Sequence, residues 1–366
     1  MKLVVVILLL SIVPIISASP HGVISLPLKY TKRSIEKRDQ GNLHTFKHDW
    51  WAEVSLGTPP QKSNMLIDTG SSNVWAYSKS CGTDECFLNF KGTNRFNQFI
   101  STSFEPAGNR VFDMTYGGGT GIAYQIGSDI VEIAGIRIDK QQIGTTTNLV
   151  NRQIDFDGIV GLGRDKNTNP SFLATPTATM FKQKLIKSNM FSLDLKSFAD
   201  GGGGELLFGG IDYSKIEGDL VCVPTASDDE WSVEYTTICV GSVDIKRSAP
   251  EAVLDTGSDS IYTSCGTAEA IYNEIPGSRL HKTGDWIVPC ELPDHVYVAY
   301  EIGNVKWRIP AKDLVTGPVA GVEDYCIGAI QVDELPFDIL GAPFLKQYYT
   351  VFDSENQKIC LAKKKQ

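Results

Sequence analysis

A chain of 366 residues with 42% hydrophobic and 21% charged side chains holds enough apolar material for two cores, which excludes a disordered or fibrous protein. Its net charge of −9 argues against nucleic acid as a partner. The 34 glycines, many beside short apolar runs, favour an all-β fold over long helices.

Residues 1–18 read as a secretory signal peptide. Lys2 gives the positive start, Leu3 to Ile16 the apolar run, and Ile16-Ser17-Ala18 a cleavage site. The run is short for a membrane anchor, and no second long apolar stretch follows, so the mature chain is expected to have no membrane span. Residues 19–38 form a short basic segment without a core pattern. It carries Lys29, Lys32, Arg33, Lys37 and Arg38 against Glu36 alone. The rest of the chain, without this segment and Lys2, has 28 basic and 42 acidic side chains, a charge of −14. Such a segment would be held partly by charge and loosened when carboxylates take up protons at low pH. A disordered basic tail is the other reading. Lys37-Arg38 is a candidate dibasic processing site.

A strand and turn over residues 51–60 lead into Met65-Leu66-Ile67-Asp68-Thr69-Gly70-Ser71, an apolar run that ends abruptly in a turn. A carboxylate at the tip of a buried strand is costly unless something stabilises it. Residues 110–133 read as a hairpin with a glycine-rich tip after Tyr116, and Phe156 to Gly163 as another apolar run into glycine. Short helices are expected over 183–188 and 268–274, and a strand over 231–240. The first apolar run then returns as Ala252-Val253-Leu254-Asp255-Thr256-Gly257-Ser258, followed by Phe337-Asp338-Ile339-Leu340-Gly341. From Asp68 to Gly161 is 93 positions, and from Asp255 to Gly341 is 86. The spacing reads as a duplicated lobe, residues 39–212 and 213–366, with a pseudo-two-fold axis that could bring Asp68 and Asp255 together. Eight cysteines behind a signal peptide imply disulfides and an oxidising compartment.

On these motifs the chain resembles the pepsin-like aspartic proteases, over about residues 51–362. The pieces that carry the likeness are Ile67 to Trp75, Thr115-Tyr116-Gly117, Phe156 to Gly163, Asp255 to Ser258, and Gln347 to Asp353. The resemblance implies two pseudo-symmetric β-rich lobes around a cleft. It implies endoproteolysis in which Asp68 and Asp255 share one proton, one activating a water and the other protonating the scissile carbonyl. No metal or organic cofactor is needed. Thr69 and Thr256 would tie the two turns, Gly70 and Gly257 would let the backbone approach, and Ser71 and Ser258 would bond the outer carboxylate oxygens. Tyr116 and Gly117 would belong to a flap over the cleft, with Trp75 steadying the Tyr116 hydroxyl. Leu66, Tyr116, Val150 and Ile159 would line an apolar pocket.

Departures from the family pattern are Asp259 for a serine near substrate, Gly118 for a polar residue at the flap tip, and Ala342 for an aspartate. The resemblance also implies Cys81–Cys86 and Cys290–Cys326 bridges. The remaining four cysteines allow three pairings, of which Cys222–Cys360 with Cys239–Cys265 is favoured because the family places the strands of Cys222 and Cys360 in one sheet. The expected protein is thus a monomeric endopeptidase, made as a zymogen, active in acid on protein or peptide substrates, and secreted or delivered to a vacuolar or lysosomal lumen. A catalytically silent binding protein on the same scaffold is the alternative, and it would be marked by loss of an aspartate or its glycine. A β-rich structural protein would account for the cysteines but not for the repeat.

Overall fold

The computed structural model describes residues 22–33, 47–84, 86, 94–117, 121–150, 156–170, 173–196 and 202–365. The expected signal peptide, the Lys37-Arg38 pair and Gly118 lie outside them. Strands dominate, and one apolar core runs through both lobes, from Trp50, Ile67 and Leu162 to Leu254, Tyr300 and Leu340.

Each half is built on the same three-strand unit. In the first, Gln61–Asp68 runs parallel to Gly158–Gly161, with Ile67 opposite Val160 and Asp68 opposite Gly161. Val74–Ala76 returns antiparallel to that partner, with Trp75 opposite Ile159. In the second, Glu251–Leu254 runs parallel to Asp338–Leu340, and Ile261–Thr263 returns antiparallel to it. Strands buried on both faces carry continuous apolar sequence rather than alternation. Met65-Leu66-Ile67 and Ala252-Val253-Leu254 read that way, and all six are buried. The duplicated spacing in the sequence is this register.

The lobes are joined by a shared sheet. The chain's last strands, Tyr348–Asp353 and Lys358–Lys364, pair with Met190–Leu195 and with Ile216–Pro224. Asp212, at the expected lobe boundary, donates its N–H to the Tyr349 hydroxyl at 2.9 Å. Three disulfides staple the chain: Cys81–Cys86, Cys290–Cys326 and Cys222–Cys360. The last joins residues directly opposite each other in the shared sheet.

Several sequence expectations are corrected. Cys239 and Cys265 are not bridged: both are free thiols. Cys239 is buried on Ile238–Val240 and its sulfur donates to Asp244 Oδ1 at 3.1 Å, whereas Cys265 is exposed as the first residue of a helix. The helix expected over 183–188 lies earlier, at Pro176–Lys182, where Thr175 caps the Ala178 N–H and Pro176 occupies a position that needs no donor. The helix expected over 268–274 is Cys265–Asn273. Residues 231–240 are not one strand. Ser232–Glu234 and Ile238–Val240 belong to different sheets.

The basic segment does have a core pattern. Ile24–Arg33 is a strand, pairing through residues 24–28 with Gly204–Phe208 and through 29–33 with residues 47–51. Leu26 and Leu28 are buried, while Ser25, Pro27 and Lys29 are exposed. This is a period-two alternation masked in the sequence by its basic neighbours.

Candidate active site

The two aspartate turns meet at the lobe interface through a symmetric set of hydrogen bonds. The Thr69 N–H donates to Thr256 Oγ1, and the Thr256 N–H donates to Thr69 Oγ1, both at 3.0 Å. Each hydroxyl then donates onward to the opposite strand, Thr69 to the Leu254 carbonyl and Thr256 to the Ile67 carbonyl, both at 2.7 Å. Both threonines are fully buried, so the four bonds are shielded from water and fix the two turns relative to each other.

Within each turn the carboxylate is held in the same way. The Gly70 N–H donates to Asp68 Oδ1 at 2.9 Å, and the Gly257 N–H to Asp255 Oδ1 at 2.8 Å. The Ser71 hydroxyl donates to Asp68 Oδ2, and the Ser258 hydroxyl to Asp255 Oδ2 at 2.5 Å. Glycine is required at both turns by close approach. A Cβ on Gly257 would fall 2.6 Å from Asp68 Oδ1, and one on Gly70 would strike the Asp255 carboxyl group. Asp68 and Asp255 lie within hydrogen-bonding reach of each other. Burial raises the Asp68 carboxyl well above the ordinary range, and the neighbouring Asp255 raises it further. Such a pair retains one proton between its members where a lone carboxyl would have none.

Near Asp68 and Ser71 lies Tyr116, which with Gly117 stands just past the end of the first strand of the hairpin Glu105–Thr115 and Gly121–Ile133. The Trp75 indole donates to the Tyr116 hydroxyl at 2.6 Å, their rings 6.4 Å apart. Burial and the Asp68 charge raise the Tyr116 hydroxyl well above its ordinary range, so it stays protonated. Leu66 and Ile159 sit opposite each other in register and share an apolar cluster with Trp75, Ile122 and Leu149, against which Tyr116 packs. Val150 pairs through its backbone with Gly121 at the hairpin. Its side chain lies outside the described residues. Asp259 accepts from the Tyr262 hydroxyl at 3.3 Å. Ala342 is buried and its N–H donates to the Ser258 carbonyl at 2.8 Å.

Sequence reasoning missed the seam beside the pair. Arg164, buried, stacks 5.1 Å from the Trp231 ring. It reaches across to the other lobe, donating to the Asp228 carbonyl at 2.8 Å and to Thr225 Oγ1 at 3.0 Å. Lys166 pairs with Asp228, and Asn167 donates to Glu230 Oε1 at 2.8 Å. Partners more than sixty residues apart leave no local signal. A charged residue inside an apolar-glycine run, Leu162-Gly163-Arg164, was the one visible hint. Among the described residues no group of three or more His, Cys, Asp or Glu is arranged to hold a metal ion, and no helix is long and apolar enough to cross a membrane.

Comparison with known proteins agrees with this geometry. The family model for eukaryotic aspartyl protease matches residues 49–364. Cathepsin E-A of Xenopus laevis is 31% identical over 329 residues, covering 86% of this chain and 79% of that protein. Pepsin A of Suncus murinus is 30% identical over 348 residues, covering 91% and 85%. Vacuolar protease A of Aspergillus fumigatus is 28% identical over 328 residues, covering 86% and 79%.

Proposed function

The chain belongs to the eukaryotic aspartyl protease family, and on that premise we propose that it is an aspartic endopeptidase whose Asp68 and Asp255 carry the reaction. The observation that carries the reading is the reciprocal bonding of Thr69 and Thr256, which holds two serine-bonded, glycine-bonded carboxyls face to face. With one proton between them, the ionised member takes a proton from a water lodged between the carboxyls. The resulting hydroxide attacks the scissile carbonyl carbon, and the protonated member gives its proton to the carbonyl oxygen. On collapse of the tetrahedral species, the carboxyl that took the water's proton gives it to the leaving nitrogen as the C–N bond breaks, and a hydroxyl proton of the tetrahedral species returns to the other carboxylate, which restores the singly protonated pair. Neither aspartate is assigned the charge, because the proton belongs to the pair.

Tyr116, tied to Trp75, would close over the substrate, and the apolar wall of Leu66 and Ile159 would favour a large apolar residue beside the cut. The enzyme is proposed to travel the secretory pathway, to a vacuolar or lysosomal lumen or outside the cell, and to be made as a zymogen that acts in acid. The names of the similar pepsin and vacuolar protease support that route. The test is incubation of the purified protein with a denatured protein substrate across acid pH, with and without a transition-state-analogue inhibitor of aspartic proteases. Inhibitor-sensitive cleavage is expected. Absence of cleavage by the processed chain at every pH would refute the reading.

A further inference from the structure

Beside the aspartate pair lies a carboxylate that peptide hydrolysis does not use. Trp231 adjoins the second aspartate strand directly, its carbonyl accepting the Leu254 N–H at 2.9 Å. The Trp231 indole donates to the Leu162 carbonyl at 2.8 Å, and the Leu162 N–H donates to the Asp68 carbonyl at 2.7 Å. Glu230 immediately precedes Trp231, so it stands where the two aspartate strands converge. It is half-buried, and it is held from the opposite lobe by the Asn167 amide.

Among the described residues Glu230 has no ion-pair partner. The two cations on the facing segment, Arg164 and Lys166, are both engaged by Asp228. Among the described residues no lysine or arginine makes an ion pair with Glu230, and the neighbouring charges that push its carboxyl up, from Asp255, Asp229 and Glu251, are negative. Burial first, then those acidic neighbours, push its carboxyl up to about 7 against the lowering effect of the Asn167 bond. A half-buried carboxylate among like charges is unfavourable, and a cation brought to it recovers that cost. The Asp68 side of the cleft is different, being walled by Leu66, Ile122 and Ile159. The two ends of the site thus differ in chemistry.

We propose, resting on the endopeptidase reading, that Glu230 is a specificity-determining residue that takes the side-chain cation of a substrate lysine or arginine on the Asp255 side of the cleft, with Asn167 orienting its carboxylate. The bound cation keeps Glu230 ionised, so the preference strengthens as pH rises from acid towards neutral. Asp259, already bonded to Tyr262, is the rival carboxylate on that lobe.

The experiment uses matched peptides that differ only by lysine or norleucine at each position flanking the cut, cleaved by the processed enzyme, Glu230→Gln, Glu230→Lys and Asp259→Asn. The readout is the lysine-to-norleucine ratio of kcat/KM at pH 4 and pH 6. The expected result is one position with a lysine preference of about tenfold at pH 6 and less at pH 4, as a partly desolvated charge pair would give. Glu230→Gln should abolish the preference, Glu230→Lys should reverse it in favour of norleucine, and Asp259→Asn should keep it. The proposal is overturned if no position prefers lysine, if the preference survives Glu230→Gln, or if Asp259→Asn removes it instead. A cleaved library with flat ratios sinks the role of Glu230 alone, whereas no cleavage of any peptide sinks the endopeptidase reading with it.

Discussion

The two aspartates are not equivalent in their surroundings, although their sequence motifs are. Asp68 is 5% exposed and Asp255 is half-buried, so desolvation weighs more on the first. Replacing either carboxyl by an amide keeps an acceptor for the glycine N–H but removes the proton exchange. Asp68→Asn and Asp255→Asn should each lower turnover by at least about 10³-fold with the fold intact, in line with the loss of a general acid or base. Near-normal turnover by either variant would refute the two-aspartate chemistry. The same burial sets a pH dependence of stability. A carboxyl whose folded pKa is raised binds more protons folded than unfolded between the ordinary carboxylate range and its folded value. Its stability contribution is therefore whole below the ordinary range and is lost as pH rises through the folded pKa. Asp68→Asn removes that loss. Its Tm should exceed that of the parent by a few degrees at pH 7, and by less at pH 4, in thermal unfolding scans. A gap that narrows towards neutral would mean that Asp68 is not held protonated by the fold.

At the scale of elements, the hairpin is linked to the first aspartate turn and the strand after it by side-chain bonds, among them the Asn73 amide to the Tyr124 hydroxyl at 3.1 Å and, nearest the proposed cleft, the Trp75 indole to the Tyr116 hydroxyl. Trp75→Phe keeps an aromatic ring in the apolar cluster and deletes the donor. A hydrogen bond of this kind contributes about 1 kcal/mol, so kcat/KM should fall about fivefold while the Tm barely moves. A fall in Tm with unchanged kcat/KM would make the contact structural only. The elements that position this site were legible because their signals are local. An apolar run ending in Asp-Thr-Gly-Ser, followed by Val74-Trp75 or Ile261-Tyr262 and later by an apolar-glycine run, spells out a parallel pair with an antiparallel return. What stayed hidden was non-local. Leu26 and Leu28 alternate inward, but the strand they form is recognisable only beside Gly204–Phe208, some 180 residues away. Cys239 looks like Cys222 in sequence, yet only Cys222 faces a cysteine across its sheet. The helix after Thr175 did carry a local sign, a threonine cap followed by proline.

At the scale of the whole molecule, the lobes are held together by a sheet that contains the very segment expected to be removed. Strand Ile24–Arg33 lies between Gly204–Phe208 and Lys47–Leu56 in that sheet, and the fully buried Trp50 donates its indole N–H to the Gly203 carbonyl at 2.8 Å. What holds residues 24–28 is a backbone ladder with two buried leucines, and neither depends on pH. The attraction between the basic segment and a body of charge −14 does depend on it, and weakens as carboxylates protonate. These two forces make separable predictions for activation. Cutting after Arg38 at neutral pH should leave the excised peptide bound and the enzyme silent, because the ladder and the leucines persist after the chain is severed and the charge attraction adds to them. Acidification should then release activity as the charge attraction fades. Leu26→Ala with Leu28→Ala should let the cut peptide leave at neutral pH, since each truncation removes about 2 kcal/mol or more of burial. Size-exclusion chromatography with mass spectrometry of the peptide, run beside an activity assay at pH 7 and pH 4, reads both. Equal activity of intact and cut forms at every pH would overturn inhibition by this segment. Departure of the unmutated peptide at neutral pH as soon as it is cut would show that the strand pairing does not hold it.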